Sequence, residues 1–172
     1  MKIILSTERL LLKPIIKQDA AFILKLVNSP LYIQFIGDRK LKTVKEAEDF
    51  IKNGPQKSYN ENGYGLYCVR AKEDHLPIGV CGLLKRDFLP HPDIGFAFLP
   101  EAMGRGYAYE IAAATLEYAH HALKLNTVLA FADPANERSV KLLEKTGMQF
   151  QKHFKHPDEG KEVVLYFKKF SD

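Results

Sequence analysis

Two glycines flank an arginine in Met103-Gly104-Arg105-Gly106-Tyr107-Ala108, and an alanine-rich stretch with helical character follows at once. The apolar segment ahead of it, Asp93-Ile94-Gly95-Phe96-Ala97-Phe98-Leu99, reads as a strand that runs through Pro100 into the glycines. A strand that turns through glycine into a helix exposes several unpaired main-chain N–H groups at the positive end of the helix dipole. Such a turn suits an anion, and a pyrophosphate above others. Gly104 and Gly106 carry no Cβ, so phosphate oxygens can come close to the main chain, and Arg105 adds a positive charge nearby. On its own, Gly-x-Gly ahead of a helix describes a plain tight turn at least as well.

Two common phosphate sites do not match. A nucleoside triphosphate loop needs Lys and then Ser or Thr after its last glycine, whereas Gly106 is followed by Tyr107 and Ala108. The dinucleotide fingerprint needs a small residue three positions after its second glycine, where this chain has the bulky Tyr109.

The elements that must hold this loop can be followed along the chain. Arg9–Pro14 reads as a strand, followed by a helix with Asp19 as N-cap and Phe22, Ile23, Leu26 and Val27 on one face, ended by Pro30. Thr43-Val44-Lys45-Glu46 has the spacing of a capping box, with Val44, Ala47, Phe50 and Ile51 as the apolar stripe behind it. The polar stretch 53–63 is expected to be a loop that covers a site. Tyr64–Arg70 and Ile78–Leu84 form a hairpin. The helix after Gly106 is expected to run to about Leu123, with Ile111, Thr115, Tyr118 and Ala122 on one face. A strand at 127–131, a short helix capped by Asn136 and ended at Gly147, and two last strands around a Pro157–Gly160 turn complete the order. The pattern predicts a single mixed α/β (α+β) domain over residues 1–172, with a twisted, mostly antiparallel sheet flanked by helices.

Composition limits the function classes. With 172 residues the chain is the size of one domain at about 150 residues per domain. Its 46% hydrophobic and 27% charged residues support a packed core rather than disorder. The net charge of +4 is spread out, without the dense basic block of a nucleic-acid arm. Cys68 and Cys81 fall in strand-like segments and are expected to be buried free thiols in a reducing compartment. The first residues lack the pattern of a secretion signal, and no apolar run approaches the roughly 18 residues of a membrane span. A cytoplasmic protein without membrane or nucleic-acid partners is expected.

In Asp93–Glu101, in Gly104-Arg-Gly-Tyr-Ala-Tyr-Glu110, and in Asn136-Glu-Arg-Ser139 with Leu142–Gly147, the sequence resembles the GNAT acetyltransferases, in particular the RimJ/RimL-like branch that acetylates protein N-termini. Thr7-Glu8-Arg9-Leu10 and Pro77-Ile78-Gly79 with Gly82-Leu83 match more loosely, so the likeness covers nearly the whole chain. The resemblance implies acetyl-CoA as cosubstrate and an amine as acceptor. It implies that the backbone of Phe96 and Phe98, within the Phe96–Leu99 stretch, pairs with the pantetheine arm. The amides of Met103, Gly104, Arg105, Gly106, Tyr107 and Ala108 would hold the pyrophosphate, Asn136 would bond the pantetheine, and Ser139 would lie near the sulfur. A main-chain N–H of the Phe96–Leu99 strand, assigned to Phe98, would polarise the thioester carbonyl. The chain departs from the family at Met103, where Gln, Arg or Trp is usual, and at Leu143, where many members carry a tyrosine general acid.

Asp93 begins the strand with the pantetheine contacts and is a candidate base acting through a water, with a solvated turn residue as the competing reading. His91 has a suitable intrinsic pKa but sits in a loop. The His120-His121 and His153/His156 pairs match no zinc framework, and no metal is expected. Neither cysteine has a placeable His and Asn, which favours direct transfer in a ternary complex over a covalent enzyme intermediate. The expected function is acetyl transfer to a primary amine, such as a peptide α-amino group. The alternatives are a small-molecule amine or antibiotic as acceptor, or a silent acyl-CoA-binding module. Monomer and homodimer are both compatible with the sequence.

Overall fold

In the computed structural model, which describes residues 2–171, the chain runs β1 (Leu5–Ser6), β2 (Leu10–Pro14), α1 (Ala20–Val27), α2 (Pro30–Phe35), α3 (Val44–Ile51), α4 (Lys57–Asn62), β3 (Leu66–Ala71), β4 (Pro77–Leu84), β5 (Asp93–Phe98), α5 (Tyr107–His121), β6 (Thr127–Ala132), α6 (Glu137–Lys145), β7 (Gln149–Lys155) and β8 (Glu162–Lys169). The strands form one eight-stranded sheet in the order β1-β2-β3-β4-β5-β6-β8-β7. Alternation of side chains across it supplies two cores. On one face Leu10, Leu12, Val69, Cys81, Ile94, Phe98, Val128 and Val164 pack against Ile111, Ala112 and Leu116 of α5. On the other, Cys68, Val80 and Leu99 pack against Ile23, Leu26, Ala47 and Ile51 of α1 and α3.

All strand pairs are antiparallel except β5 with β6, which are parallel and share the single register pair Asp93↔Leu129, tied by Leu129 N–H to the Pro92 carbonyl at 2.9 Å. Past that point the two strands part. The expected splayed, mostly antiparallel α/β domain is therefore present, with the opening beside α5.

Several helical expectations change in detail. Thr43 and Glu46 close the capping box as read, with Glu46 N–H to Thr43 Oγ1 at 3.1 Å, yet Val44 is exposed. Asp19 precedes α1 but makes no side-chain cap to it. Its carboxylate accepts from Ile16 N–H at 3.0 Å and pairs with Arg70. Pro30 does not merely end a helix: it opens α2 at the first helical position, where a missing N–H costs nothing. Segment 53–63 is not a loop. A π-type turn (Lys52–Gln56) around buried Pro55 leads into α4, which ends at Gly63 with φ +76°. Tertiary contacts hold this polar helix, since Tyr59 accepts from Ile15 N–H at 3.0 Å, donates to the Leu66 carbonyl and stacks on Tyr67 at 5.0 Å. The buried face of α5 is Ile111, Ala112, Thr115, Leu116 and Ala119; Tyr118 is only half-buried and Ala122 is exposed. The three alanines among α5's first seven residues let it lie close to the sheet. Among the described residues no helix is long and apolar enough to cross a membrane.

Cys68 and Cys81 are free and buried, as expected, and burial pushes each thiol up to about 12. Neither should react with an aromatic disulfide reagent at pH 8 in the native protein, and both should react once denaturant is added. A rapid native reaction would contradict their burial.

Gly82 of β4 lies against the strand beside it. A Cβ there would sit 2.1 Å from the Gly65 carbonyl oxygen and 2.8 Å from Leu66 Cα, both backbone atoms. Gly82→Ala should cost at least about 3 kcal/mol, the upper range for overpacking, in urea unfolding. Gly54→Ala, whose Cβ meets nothing within 4 Å, serves as the reference, and equal midpoints for the two variants would refute the close approach.

Candidate active site

The loop between β5 and α5 takes the conformation that its glycines permit. Pro100–Ala102 forms a 3₁₀ turn, and Gly104 and Gly106 adopt φ of +78° and +79°, a region that L side chains rarely enter. Residues 104–106 are exposed, and Gly106 caps α5 with no side chain to bond the first turn. The first bond of the helix runs from Glu110 N–H to Gly106 O at 3.1 Å. Among the described residues, the N–H groups of Gly104, Arg105, Gly106, Tyr107, Ala108 and Tyr109 find no carbonyl or side-chain acceptor. The Met103 N–H is different, because it already donates to Pro100 O at 3.2 Å. The loop amides available to an outside acceptor therefore begin at Gly104.

The parted strands offer a second row of main-chain groups. Leu99 N–H donates to Ile78 O at 2.9 Å, and Gly79↔Phe98, Val80↔Ala97 and Cys81↔Phe96 are register pairs. In an antiparallel ladder the hydrogen-bonding direction alternates by residue. Leu99 and Ala97 thus bond to β4, while Phe96 and Phe98 turn their N–H and C=O groups toward the gap beside β6. Their side chains pack on the α5 core.

Across the gap, Asn136 caps α6, its Oδ1 accepting from Ser139 N–H at 3.3 Å. Ser139 and Asn136 are half-buried, and their Oγ and Nδ2 atoms make no protein hydrogen bond among the described residues, so the Ser139 hydroxyl is not occupied by its own helix. Arg138 reaches back over the gap, Nη1 to Met103 Sδ at 3.4 Å, so the two loops touch. Leu143 is 2% exposed and packs in the α5-side core.

Asp93 lies at the closed end of the gap, 2% exposed, on the face opposite α5. It is not a solvated turn residue. Arg86 Nε stands 3.0 and 3.2 Å from its two oxygens. Burial raises its pKa to about 6, with the Arg86 charge and hydrogen bond working against that rise. The Arg86 guanidinium lies 4.8 Å above the ring of Phe131, which contacts Phe154 at 6.0 Å and His156 at 5.5 Å. The β7–β8 turn is drawn toward α2 by Lys161, which donates to Gln34 O at 3.3 Å and pairs with Asp133 at 2.5 Å. A cluster of aromatic rings therefore adjoins Arg86, the partner of Asp93. His91 is exposed on a neighbouring cavity of about 300 Å³ that it shares with Glu61, Asn62, Tyr64 and Lys85.

Sequence reasoning passed over one cluster. Glu110, in the first turn of α5, accepts from the Thr7 hydroxyl at 2.6 Å, Arg9 N–H at 2.9 Å and Arg9 Nε at 2.7 Å. Burial opposes its ionisation, but these hydrogen bonds prevail and hold its pKa below the ordinary carboxylate range. The looser likeness at Thr7–Leu10 was the available signal.

Two rows of unpaired N–H groups, one on a loop and one on a strand, match what a diphosphate and an amide-bearing arm require, and comparison with known proteins agrees. The chain is 28% identical to the protein YkkB of Bacillus subtilis over 96% of this chain and 95% of that one. It is likewise 28% identical to the N-acetyltransferase YoaA of Bacillus subtilis over 85% and 82% of the two chains. The fold superposes on an acetyltransferase from Agrobacterium tumefaciens with a TM-score of 0.84, at 23% identity over 99% of this chain and 95% of the other. It also superposes on a ribosomal-protein alanine acetyltransferase from Vibrio fischeri (TM-score 0.78, 18% identity, 96% and 95% covered) and on a spermidine N-acetyltransferase from Vibrio cholerae (TM-score 0.71, 19% identity, 93% of each). Residues 9–149 match the family model described as the acetyltransferase (GNAT) domain, and the chain therefore belongs to the GNAT family of acetyl-CoA-dependent N-acetyltransferases, which act on amines.

Proposed function

We propose that this enzyme passes the acetyl group of acetyl-CoA directly to a primary amine in a ternary complex, with a protein or peptide α-amino group as the acceptor class. The observation that carries the reading is the unbroken row of free donors from Gly104 to Tyr109 beside strands that part after one paired position. An anion there gains several hydrogen bonds and the positive end of a 15-residue helix. The amides of Gly104, Arg105, Gly106, Tyr107 and Ala108 hold the diphosphate, with Met103 contributing packing beneath Arg138. The outward backbone of Phe96 and Phe98 takes the pantetheine arm as an added strand, beside Leu99, and Asn136 Nδ2 meets it from α6.

The amine approaches from the face that carries Asp93. In this assignment the Phe96 N–H polarises the thioester carbonyl, since Phe98 lies at the diphosphate end of β5, and such a donor is worth about 3 kcal/mol in comparable enzymes. The C–N bond forms as the C–S bond breaks. The amine's proton passes through water to Asp93, and Ser139 Oγ donates to the departing sulfur. With a thiol pKa of about 8.5 the thiolate leaves without an obligatory acid, which fits a leucine at position 143. The α-amino preference rests on the segments that resemble the RimJ/RimL-like branch, and the two unpaired buried thiols support a cytoplasmic setting.

Leu143, buried where many relatives have a tyrosine, also supports a second reading, a silent acyl-CoA-binding module. Calorimetric titration with acetyl-CoA should give saturable binding, and its absence at millimolar ligand would sink both readings. Thiol release with peptides, polyamines and aminoglycosides separates them. Turnover highest with peptide amines is expected; a polyamine or aminoglycoside optimum would overturn the acceptor class, and hydrolysis alone would leave the module.

Asp93 sets the acid side of the pH profile. Below about pH 6 it is protonated and cannot take a proton, so kcat/KM should climb through that pH and level off above it. Asp93→Asn should lower kcat by about 10²-fold or more and erase that limb. An unchanged limb in the variant would remove Asp93 from the role of base.

A further inference from the structure

Arg9 lies 101 residues from Glu110 in the chain and yet meets the diphosphate loop with most of its polar atoms. Its Nε bonds Glu110 at 2.7 Å, its Nη1 donates to the carbonyl of Arg105 at 2.8 Å, and its guanidinium covers the Tyr107 ring at 4.6 Å. Nη2 is the atom nearest to a Cβ built on Gly106, at 3.3 Å. Glu110 is itself fixed from two sides, by Thr7 and by the Arg9 main chain.

The contact with the Arg105 carbonyl has a directional consequence. A trans peptide unit is planar, and its C=O and N–H point opposite ways. Tying the Arg105 carbonyl down on Arg9 therefore turns the Gly106 N–H away from Arg9. Gly106 has no Cβ to resist rotation of that peptide, so its backbone alone would allow the unit to flip. A flipped unit would present a carbonyl oxygen in place of a donor, and that oxygen would repel a phosphate. Something outside the loop has to select the orientation.

We infer that Arg9 is a positioning residue for cosubstrate binding: held by Glu110, it locks the Arg105–Gly106 peptide with its N–H toward the diphosphate. The inference rests on the acetyl-CoA reading above. It predicts an effect confined to the part of the cosubstrate that carries the phosphates.

The test compares kcat/KM for acetyl-CoA and for acetylpantetheine, which has the arm and thioester but no diphosphate, in the wild type, Arg9→Met and Arg9→Lys. The preference for acetyl-CoA should fall about tenfold in Arg9→Met, the size of a lost charge-assisted hydrogen bond, through KM rather than kcat. Arg9→Lys should recover only part, because one ammonium cannot serve Glu110 and the Arg105 carbonyl as a planar fork does. An unchanged preference, a parallel loss with both substrates, or full recovery by lysine would each overturn the positioning role. Should Arg9→Met fail to fold, Glu110→Gln should lower the same preference several-fold, and an unaltered ratio there would overturn it too. A wild type that turns over neither thioester would instead refute the acetyl-transfer reading itself.

Discussion

Main-chain N–H and C=O groups are obligatory hydrogen-bonding groups, and a strand taken off its neighbour must find other partners. β5 leaves β6 after the Asp93↔Leu129 pair, and everything distinctive about this molecule lies along that separation. On one rim Phe96 and Phe98 turn peptide groups into the gap; at its mouth the loop from Gly104 ends in the start of α5; on the other rim stand Asn136 and Ser139. The sheet can open there because it is anchored on both sides of the break. β4 holds β5 through six register pairs, and β8 holds β6 through another six. The opening is therefore a fixed feature of a rigid sheet, and preorganised donors act on a ligand without first being reordered.

Electrostatics divides the gap into two ends with different tasks. The mouth is exposed and positive in character, with α5's dipole and Arg105, and Glu110, in the first turn of α5, is consumed by Arg9 and Thr7. A free carboxylate in that position would repel a diphosphate, so the same pairing that braces the loop also neutralises it. The closed end is buried. There Asp93 is buried under Arg86, whose guanidinium lies over Phe131, and its pKa is raised to about 6. A carboxylate ionised at neutral pH yet poorly solvated is suited to exchanging a proton, and in the proposed reaction the helix face opposite is left to the cosubstrate.

What the sequence disclosed was chiefly what depends on near neighbours. The positive φ of Gly104 and Gly106, the Asn136 cap, the capping box at Thr43 and the β3–β4 hairpin are all set by residues within a few positions of each other. The errors fall where distant residues decide. Segment 53–63 has loop composition, but Tyr59 ties it to Ile15 and Tyr67 and makes it helical; only Gly63, a helix-ending glycine, signalled this locally. Asp93 reads equally as a base or as a solvated turn residue, and only its burial under Arg86 removes the second reading. Met103 N–H and Leu99 N–H look as available as their neighbours in sequence, and only the ladder and the 3₁₀ turn reveal that they are spent.

The buried leucine at 143 bears on how such a site can work with few side chains. A tyrosine at that position would need a hydroxyl partner at the gap, whereas Leu143 adds to the core beneath α6 and leaves the helix start to Asn136 and Ser139. In the proposed reaction the side chains facing the reacting end are then Asp93 on one face and Ser139 on the other, and the remaining contacts are main-chain. A site made mostly of peptide groups tolerates substitution of the side chains around it as long as the backbone path is kept. That path is enforced from outside the gap, by Arg9 on the loop, by Arg138 against Met103, and by the β4 glycine that lets the strands approach. The chemistry of this enzyme is in that sense a property of where its backbone is held.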